Sequence, residues 1–178
     1  MTGTLEQIWT TGEAAAPMTR RATVQALTGL GLAGDRYALG GGTWREYPEL
    51  EKQVTLIDIG AVAEVAAVLR APFTPGDSRR NLVTSGIALP GLVGRYFTVG
   101  GALMFGMKRC PPCAHLERLT GLRLVKTMLS RGGINAAVVA GGQLGEGDTV
   151  EAVEDAVAAL RGAPVGADRL VPRVVGRA

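Results

Sequence analysis

Cys110 and Cys113 are the two cysteines of this 178-residue chain, and they stand together in Lys108-Arg109-Cys110-Pro111-Pro112-Cys113. The pair follows a run that reads as a strand, Ala102 to Phe105, and precedes one that reads as a helix, Ala114 to Leu119. A thiol at a helix N-terminus feels the partial positive charge there, which favours the thiolate. Lys108 and Arg109 push in the same direction. The thiolate is the form that metal ligation, sulfur transfer and disulfide exchange all require. Against this stands the plain alternative that each Cys is a small buried apolar residue.

Three thiolate chemistries compete. A structural zinc site needs four ligands and this pair supplies two; His115, the one histidine, lies too near Cys113 to complete the set. Zinc is therefore disfavoured. Dithiol exchange fits the CxxC spacing, but the alternating βαβ frame of thioredoxin-like proteins is missing. A cysteine offering sulfur to a soft transition metal remains. His115 has no Ser or Cys partner at a matching spacing and reads as a helix-surface residue rather than an acid-base group.

Anion recognition has three candidate segments. In Asp77-Ser78-Arg79-Arg80-Asn81-Leu82, two guanidinium groups beside an amide are suited to grip a phosphate, with a solvated turn as the alternative. Gly31-Leu32-Ala33-Gly34-Asp35-Arg36 offers another fork at Arg36, but matches neither a phosphate loop nor a dinucleotide fingerprint. Arg131-Gly132-Gly133 is an anion contact or a flexible lead into a strand, and Arg109 joins the set through its place beside Cys110. The chain carries 16 Arg against 3 Lys, a net charge of +3 and a pI near 9.2. That bias fits an anionic partner and equally a GC-rich genome. Nucleic acid is not expected, because the basic residues are scattered and no aromatic stripe accompanies them.

The elements that must position these groups are short and glycine-punctuated. Gly is abundant at 26 residues, and aromatics make up 4%. Strands are expected at Leu5–Trp9, Ala22–Leu27, Gln53–Ile57, Asn81–Thr84, Tyr96–Val99, Ala102–Phe105, Asn135–Val139 and Thr149–Val153. Gly100-Gly101 suits a tight hairpin turn. Asp58 is placed to cap a helix from about Ile59 to Leu69, and short helices are expected at Ala114–Leu119 and Leu122–Leu129. Thr11–Thr19 and the Gly141–Gly147 stretch read as loop and turn. Gly40-Gly41-Gly42 opens a loop carrying Trp44, Arg45 and Tyr47. Strands outnumber helices and neighbour one another, so the expected class is mostly β with some helix (α+β), an antiparallel or mixed barrel. One domain over residues 1–178 is expected, with 154–178 as a thin C-terminal helix and tail.

No apolar run reaches the roughly 18–20 residues needed to cross a bilayer. Met1 to Trp9 lacks the basic start and apolar centre of a secretory signal, so a cytoplasmic location with reduced thiols is expected.

Taken in order, the motifs resemble one family. Gly34-Asp35-Arg36, the strand Gln53 to Ile57, Arg80-Asn81-Leu82 with Gly86, Leu92 and Gly94, Gly100, Pro112-Cys113 with Leu116 and Gly121, Arg131-Gly132-Gly133 and Gly147-Asp148 follow the pattern of the MOSC domain, named for the C-terminal domain of molybdenum cofactor sulfurases. The likeness runs from about residue 20 to 153. It implies a β-barrel with short peripheral helices and binding of the molybdopterin-type molybdenum cofactor, a phosphate-bearing anion. It implies Cys113, in its Pro-Cys-x-x-Leu context, as metal ligand or sulfur carrier, with Cys110 second. Arg79, Arg80, Asn81 and Arg36 resemble the cofactor-contacting segments. Small members resemble reductases of N-hydroxylated compounds, and others sulfur carriers. No pyridoxal-phosphate desulfurase domain and no ferredoxin module accompany the motifs. The implied partners are thus a small-molecule substrate and an external sulfur or electron donor protein, with an oligomer allowed and neither nucleic acid nor membrane.

Overall fold

The computed structural model describes residues 1–43, 52–155 and 160–161. The expected loop residues Trp44, Arg45 and Tyr47, and nearly all of the expected C-terminal helix and tail, lie outside the described residues.

The strands are β1 (Thr2–Thr10), β2 (Thr19–Arg21), β3 (Thr23–Leu27), β4 (Gly31–Leu32), β5 (Val54–Asp58), β6 (Leu82–Ser85), β7 (Tyr96–Val99), β8 (Ala102–Arg109), β9 (Ile134–Ala140), β10 (Gly142–Gly145) and β11 (Thr149–Ala152). The helices are α1 (Ile59–Leu69), α2 (Pro75–Ser78), α3 (Ala114–Thr120) and α4 (Leu124–Thr127), with a 3-10 turn at Leu89–Leu92. The order β11-β7-β8-β9-β5-β6-β1, joined by pairing of β11 with β1, closes a seven-stranded barrel; β2 extends from β1, and β10-β3-β4 form a small second sheet. Closure removes the exposed edges that would otherwise template aggregation.

Long β1 serves three neighbours in turn: β11 through Thr2–Thr4, β6 through Thr4–Ile8, and β2 through Ile8–Thr10. A register shift between Leu5 and Gln7 lets it turn between them. β5 and β6 pair in parallel, and α1 and α2 supply the crossover that parallel strands need. Asp58 caps α1 as expected, accepting from the Ala61 amide at 3.1 Å.

Successive residues of a strand face opposite sides, and β5 and β6 use both. Leu56 and Leu82 pack into the barrel interior with Leu5, Ile8, Phe97 and Met104. Ile57 and Val83 point outward and join Val62, Val65, Phe73, Leu116, Leu124 and Met128 beneath α1, α3 and α4. This double burial explains why Val54–Ile57 reads as an unbroken apolar strand apart from Thr55. Three short strands depart from the sequence expectation. β2 is exposed at all three positions, β4 spans two residues, and β10 begins and ends in glycine, so none carries an alternating apolar signal.

Candidate functional site

The interior-facing residues of β5 and β9 are apolar, and the residue between them on each strand faces out. Thr55 pairs with Asn135, and Asn135 pairs with Lys108 of β8. The row Lys108–Asn135–Thr55 thus forms a polar floor on the outer face of the barrel, beside the apolar cluster under α3. It belongs to a cleft of ≈ 250 Å³ whose lining includes Cys110 and Cys113, both half-buried. Arg36, Lys52, Arg79, Arg80, Lys108 and Arg109 also line it, together with Tyr37 and His115, and no Asp or Glu does among the described residues. Six cations and two thiols therefore face one space.

Each group is held by its local fold. Arg79 ends α2 in the left-handed conformation (φ 57°), a position that costs a non-glycine residue roughly 1–2 kcal/mol. Its Nη1 donates to the Ala16 carbonyl at 2.7 Å. Burial, and next the nearby Arg36 charge, push the Arg79 guanidinium below its usual range. Arg36 lies 4.9 Å over the Tyr37 ring and reaches the buried Asp35 carboxylate at 3.5 Å. Burial raises the Tyr37 phenol above its usual value, with the Arg36 charge opposing and Asp35 and Cys110 adding to the rise. A Cβ at Gly42 would overlap the Tyr37 ring, so a glycine is needed there for the ring to stay in place.

Arg80 is a brace. It is 8% exposed and donates through Nε to the Gly132 carbonyl at 2.8 Å, through Nη2 to the Cys110 carbonyl at 2.8 Å, and through Nη1 to the Ser78 carbonyl at 3.3 Å. The Cys110 amide in turn donates to the Gly133 carbonyl at 2.9 Å. Cys113 is the N-cap residue of α3; its carbonyl accepts from Leu116, and its side chain makes no capping bond.

Asn81 is 1% exposed and turned inward. Its Oδ1 accepts from the Thr55 amide and hydroxyl at 3.1 and 2.9 Å, and its Nδ2 donates to the Trp9 carbonyl and to Asp35, both at 3.1 Å. Asp35, fully buried, also accepts from the amides of Thr11 and Tyr37. The pair ties β1, β5, the start of β6 and the Arg36–Tyr37 turn into one joint directly behind the cleft.

Cys110, Cys113, Arg36, Arg79, Arg80 and Arg109 are thus brought together, and Asn81 stands behind them. Arg131 is not among them: it lies in a neighbouring cleft, with Nε 2.5 Å from the Glu64 carboxylate. His115, expected on the helix surface, lines the cationic cleft. Sequence reading missed Tyr37, Thr55 and Lys52; Tyr37 directly follows the Gly-Asp-Arg segment, the one signal that pointed to it.

The MOSC domain family model matches residues 32–151. No curated protein matches the chain. Among solved structures, the YuaD protein from Bacillus subtilis superposes with a TM-score of 0.73 at 18% identity, over 85% of this chain and 96% of that one. YiiM from Geobacillus stearothermophilus gives 0.66 at 18% identity, over 88% and 78%. YiiM from Escherichia coli gives 0.63 at 19%, over 87% and 71%. At these identities the likeness is one of fold. No helix among the described residues is long and apolar enough to cross a membrane.

Proposed function

This chain belongs to the MOSC domain family, and on that footing we propose that it binds the molybdenum cofactor in the cationic cleft and works as a reductase of N-hydroxylated compounds. One observation carries the reading: two half-buried thiols share a cleft with six Lys and Arg side chains and, among the described residues, no lining carboxylate. Such a lining favours a polyanion that offers a thiol-seeking metal. No group of three or more His, Cys, Asp or Glu able to hold a metal occurs among the described residues. A metal held here therefore needs most of its ligands from an organic cofactor, and the donor set fits that need.

When bound, the cofactor supplies the two-electron chemistry that removes oxygen from an N–OH group. The chain's own residues do the rest. Cys113 is the thiolate that holds the metal, with Cys110 as the second candidate. Arg36 and Arg79 orient the phosphate-bearing part, Lys108 and Arg109 add positive potential, and Arg80 fixes the Cys110 backbone. Tyr37, kept protonated by burial, offers its hydroxyl as a donor to a ligand in the cleft. Electrons come from a separate donor protein.

The test is turnover of an N-hydroxylated amidine by metal-replete protein with a chemical reductant. Deoxygenated product is expected, with a fall of at least about tenfold in Cys113→Ala. Metal-replete protein that makes no product overturns the reductase reading.

A second reading, transfer of sulfur as a persulfide on Cys113, is favoured by a side chain that no capping hydrogen bond ties down. A persulfide trapped on Cys113 after incubation with a cysteine desulfurase supports it. A Cys113→Ser protein that still carries sulfur removes it.

A further inference from the structure

Residues 114–133 run from the cationic cleft, which His115 and Leu116 line, to the neighbouring cleft across the Cys110–Pro111 partition, which Leu129–Gly133 line. They form α3, α4 and the loops that follow each helix. Leu116, Leu124 and Met128 anchor this segment in the apolar cluster shared with α1. Glu117 ties the two helices together, its Oε1 accepting from the Val125 amide at 2.7 Å. The residues between those anchors are turned outward.

Two properties mark that outward face. It holds four basic side chains, Arg118, Arg123, Lys126 and Arg131, against one acidic, Glu117, so this stretch alone has a charge equal to the +3 of the whole chain. Arg131 is paired with Glu64, but Arg118, Arg123 and Lys126 are exposed and make no ion pair among the described residues. Beside them stand Leu119 and Val125, each 37% exposed, and Leu129, 67% exposed. Unpaired cations around exposed apolar side chains are the composition of a surface that meets an acidic protein.

We propose that the α3–α4 face docks an acidic electron-donor protein. This rests on the reductase reading above, which needs a separate donor, and adds where that donor sits and what its surface carries. The position suits the task. α3 starts at Cys113 and has seven residues, so it is about 10 Å long and a partner on this face sits beside the cationic cleft. Transient redox encounters are small, under about 1,200 Å² in total, and lean on steering by charge. A membrane surface is the poorer occupant. An interfacial helix lays its apolar side into lipid, whereas α3 and α4 have seven and four residues and spend Leu116 and Leu124 on the core.

The test uses the full chain without cofactor and follows its backbone amides by NMR as a plant-type [2Fe–2S] ferredoxin, an acidic one-electron carrier, is added. The amides of Arg118, Val125, Lys126 and Leu129 are expected to shift or broaden, with affinity falling severalfold as salt rises from about 0.02 to 0.2 M. Arg118→Glu/Arg123→Glu/Lys126→Glu is expected to weaken binding at least about tenfold, and Lys126→Glu alone about threefold, with unchanged urea midpoints. No binding, perturbation confined to Tyr37, Lys108 and Arg109 in the cationic cleft, or full affinity in the triple variant overturns the docking face. So does binding of phosphatidylserine–phosphatidylcholine vesicles through these amides where ferredoxin leaves them unmoved. In metal-replete protein, the triple variant is expected to keep turnover with dithionite and to lose most of the turnover driven by reduced ferredoxin. Ferredoxin bound on this face, with no turnover under dithionite, would sink the reductase reading and leave the docking face standing.

Discussion

Arg80 Nη2 donates to the carbonyl of Cys110 at 2.8 Å, so a guanidinium that reads in the sequence as a phosphate contact is first a brace for the cysteine loop. Three of its five donors end on backbone carbonyls, and two remain for the cleft. Replacing Arg80 by Met leaves buried carbonyls unpaired, at a cost of roughly 1–3 kcal/mol for each one that water does not reach. Urea unfolding is expected to show a lowered midpoint, and iodoacetamide is expected to alkylate Cys110 faster. An unchanged midpoint would mean that the brace carries no energy.

Asn81 acts on stability before it acts on ligands. Asn81→Ala removes the side-chain partner of the Thr55 amide and of the Trp9 carbonyl and takes one donor from the buried Asp35 carboxylate, all at once. The expected loss is roughly 3–5 kcal/mol by denaturant unfolding. Arg79→Ala, at a half-buried position on the cleft, is expected to lower phosphate affinity severalfold with a far smaller loss of stability. The opposite pattern, a stable Asn81→Ala protein with lost phosphate affinity, would move Asn81 into the binding surface.

Much of the barrel was legible because its signals are local. Asp58 as a cap, Gly100-Gly101 as a hairpin turn and the apolar run Val54–Ile57 all act within a few residues of chain. β2 and β10 were not legible, since an exposed Thr-Arg-Arg and a strand ending in glycine gain their order only from partners distant in sequence. The site divides the same way. The thiol pair and Arg79–Arg80 could be picked out by type and spacing. The floor row Thr55–Asn135–Lys108 depends on strand register across β5, β9 and β8, which no local pattern encodes. The same gap explains Arg131, a plausible anion contact by type that the fold sets on the far side of the Cys110 partition, facing Glu64.

Tyr37 provides a pH signature. Burial raises its phenol above the usual value near 10, so the folded state holds the proton more tightly than the unfolded state. Its contribution to stability is fully present below pH 10 and is lost as pH rises through the shifted value. The difference in ultraviolet titration between wild type and Tyr37→Phe should show a midpoint above 10. A midpoint at or below 10 would place the phenol in open water.

Pro111 and Pro112 are expected to keep the thiols apart. A residue before proline is driven to extended backbone, each proline fixes φ near −65°, and residues 110–113 show neither turn nor bend. Three such steps span roughly 9 Å between the Cα atoms. A disulfide needs about 4.4–6.8 Å. After treatment with diamide, mass spectrometry is expected to find no Cys110–Cys113 disulfide, whereas Pro111→Gly/Pro112→Gly acquires one. Ready closure in the wild type would revive dithiol exchange.

The central claim is that cations and thiols in one cleft hold a molybdenum-bearing anion, and metal content tests it most directly. Protein purified from cells that make the cofactor is expected to carry close to one molybdenum per chain, with Cys113→Ala and Arg36→Ala/Arg79→Ala proteins losing most of it while remaining folded. Wild-type protein from such cells with no molybdenum, or variants that retain all of it, would contradict the account.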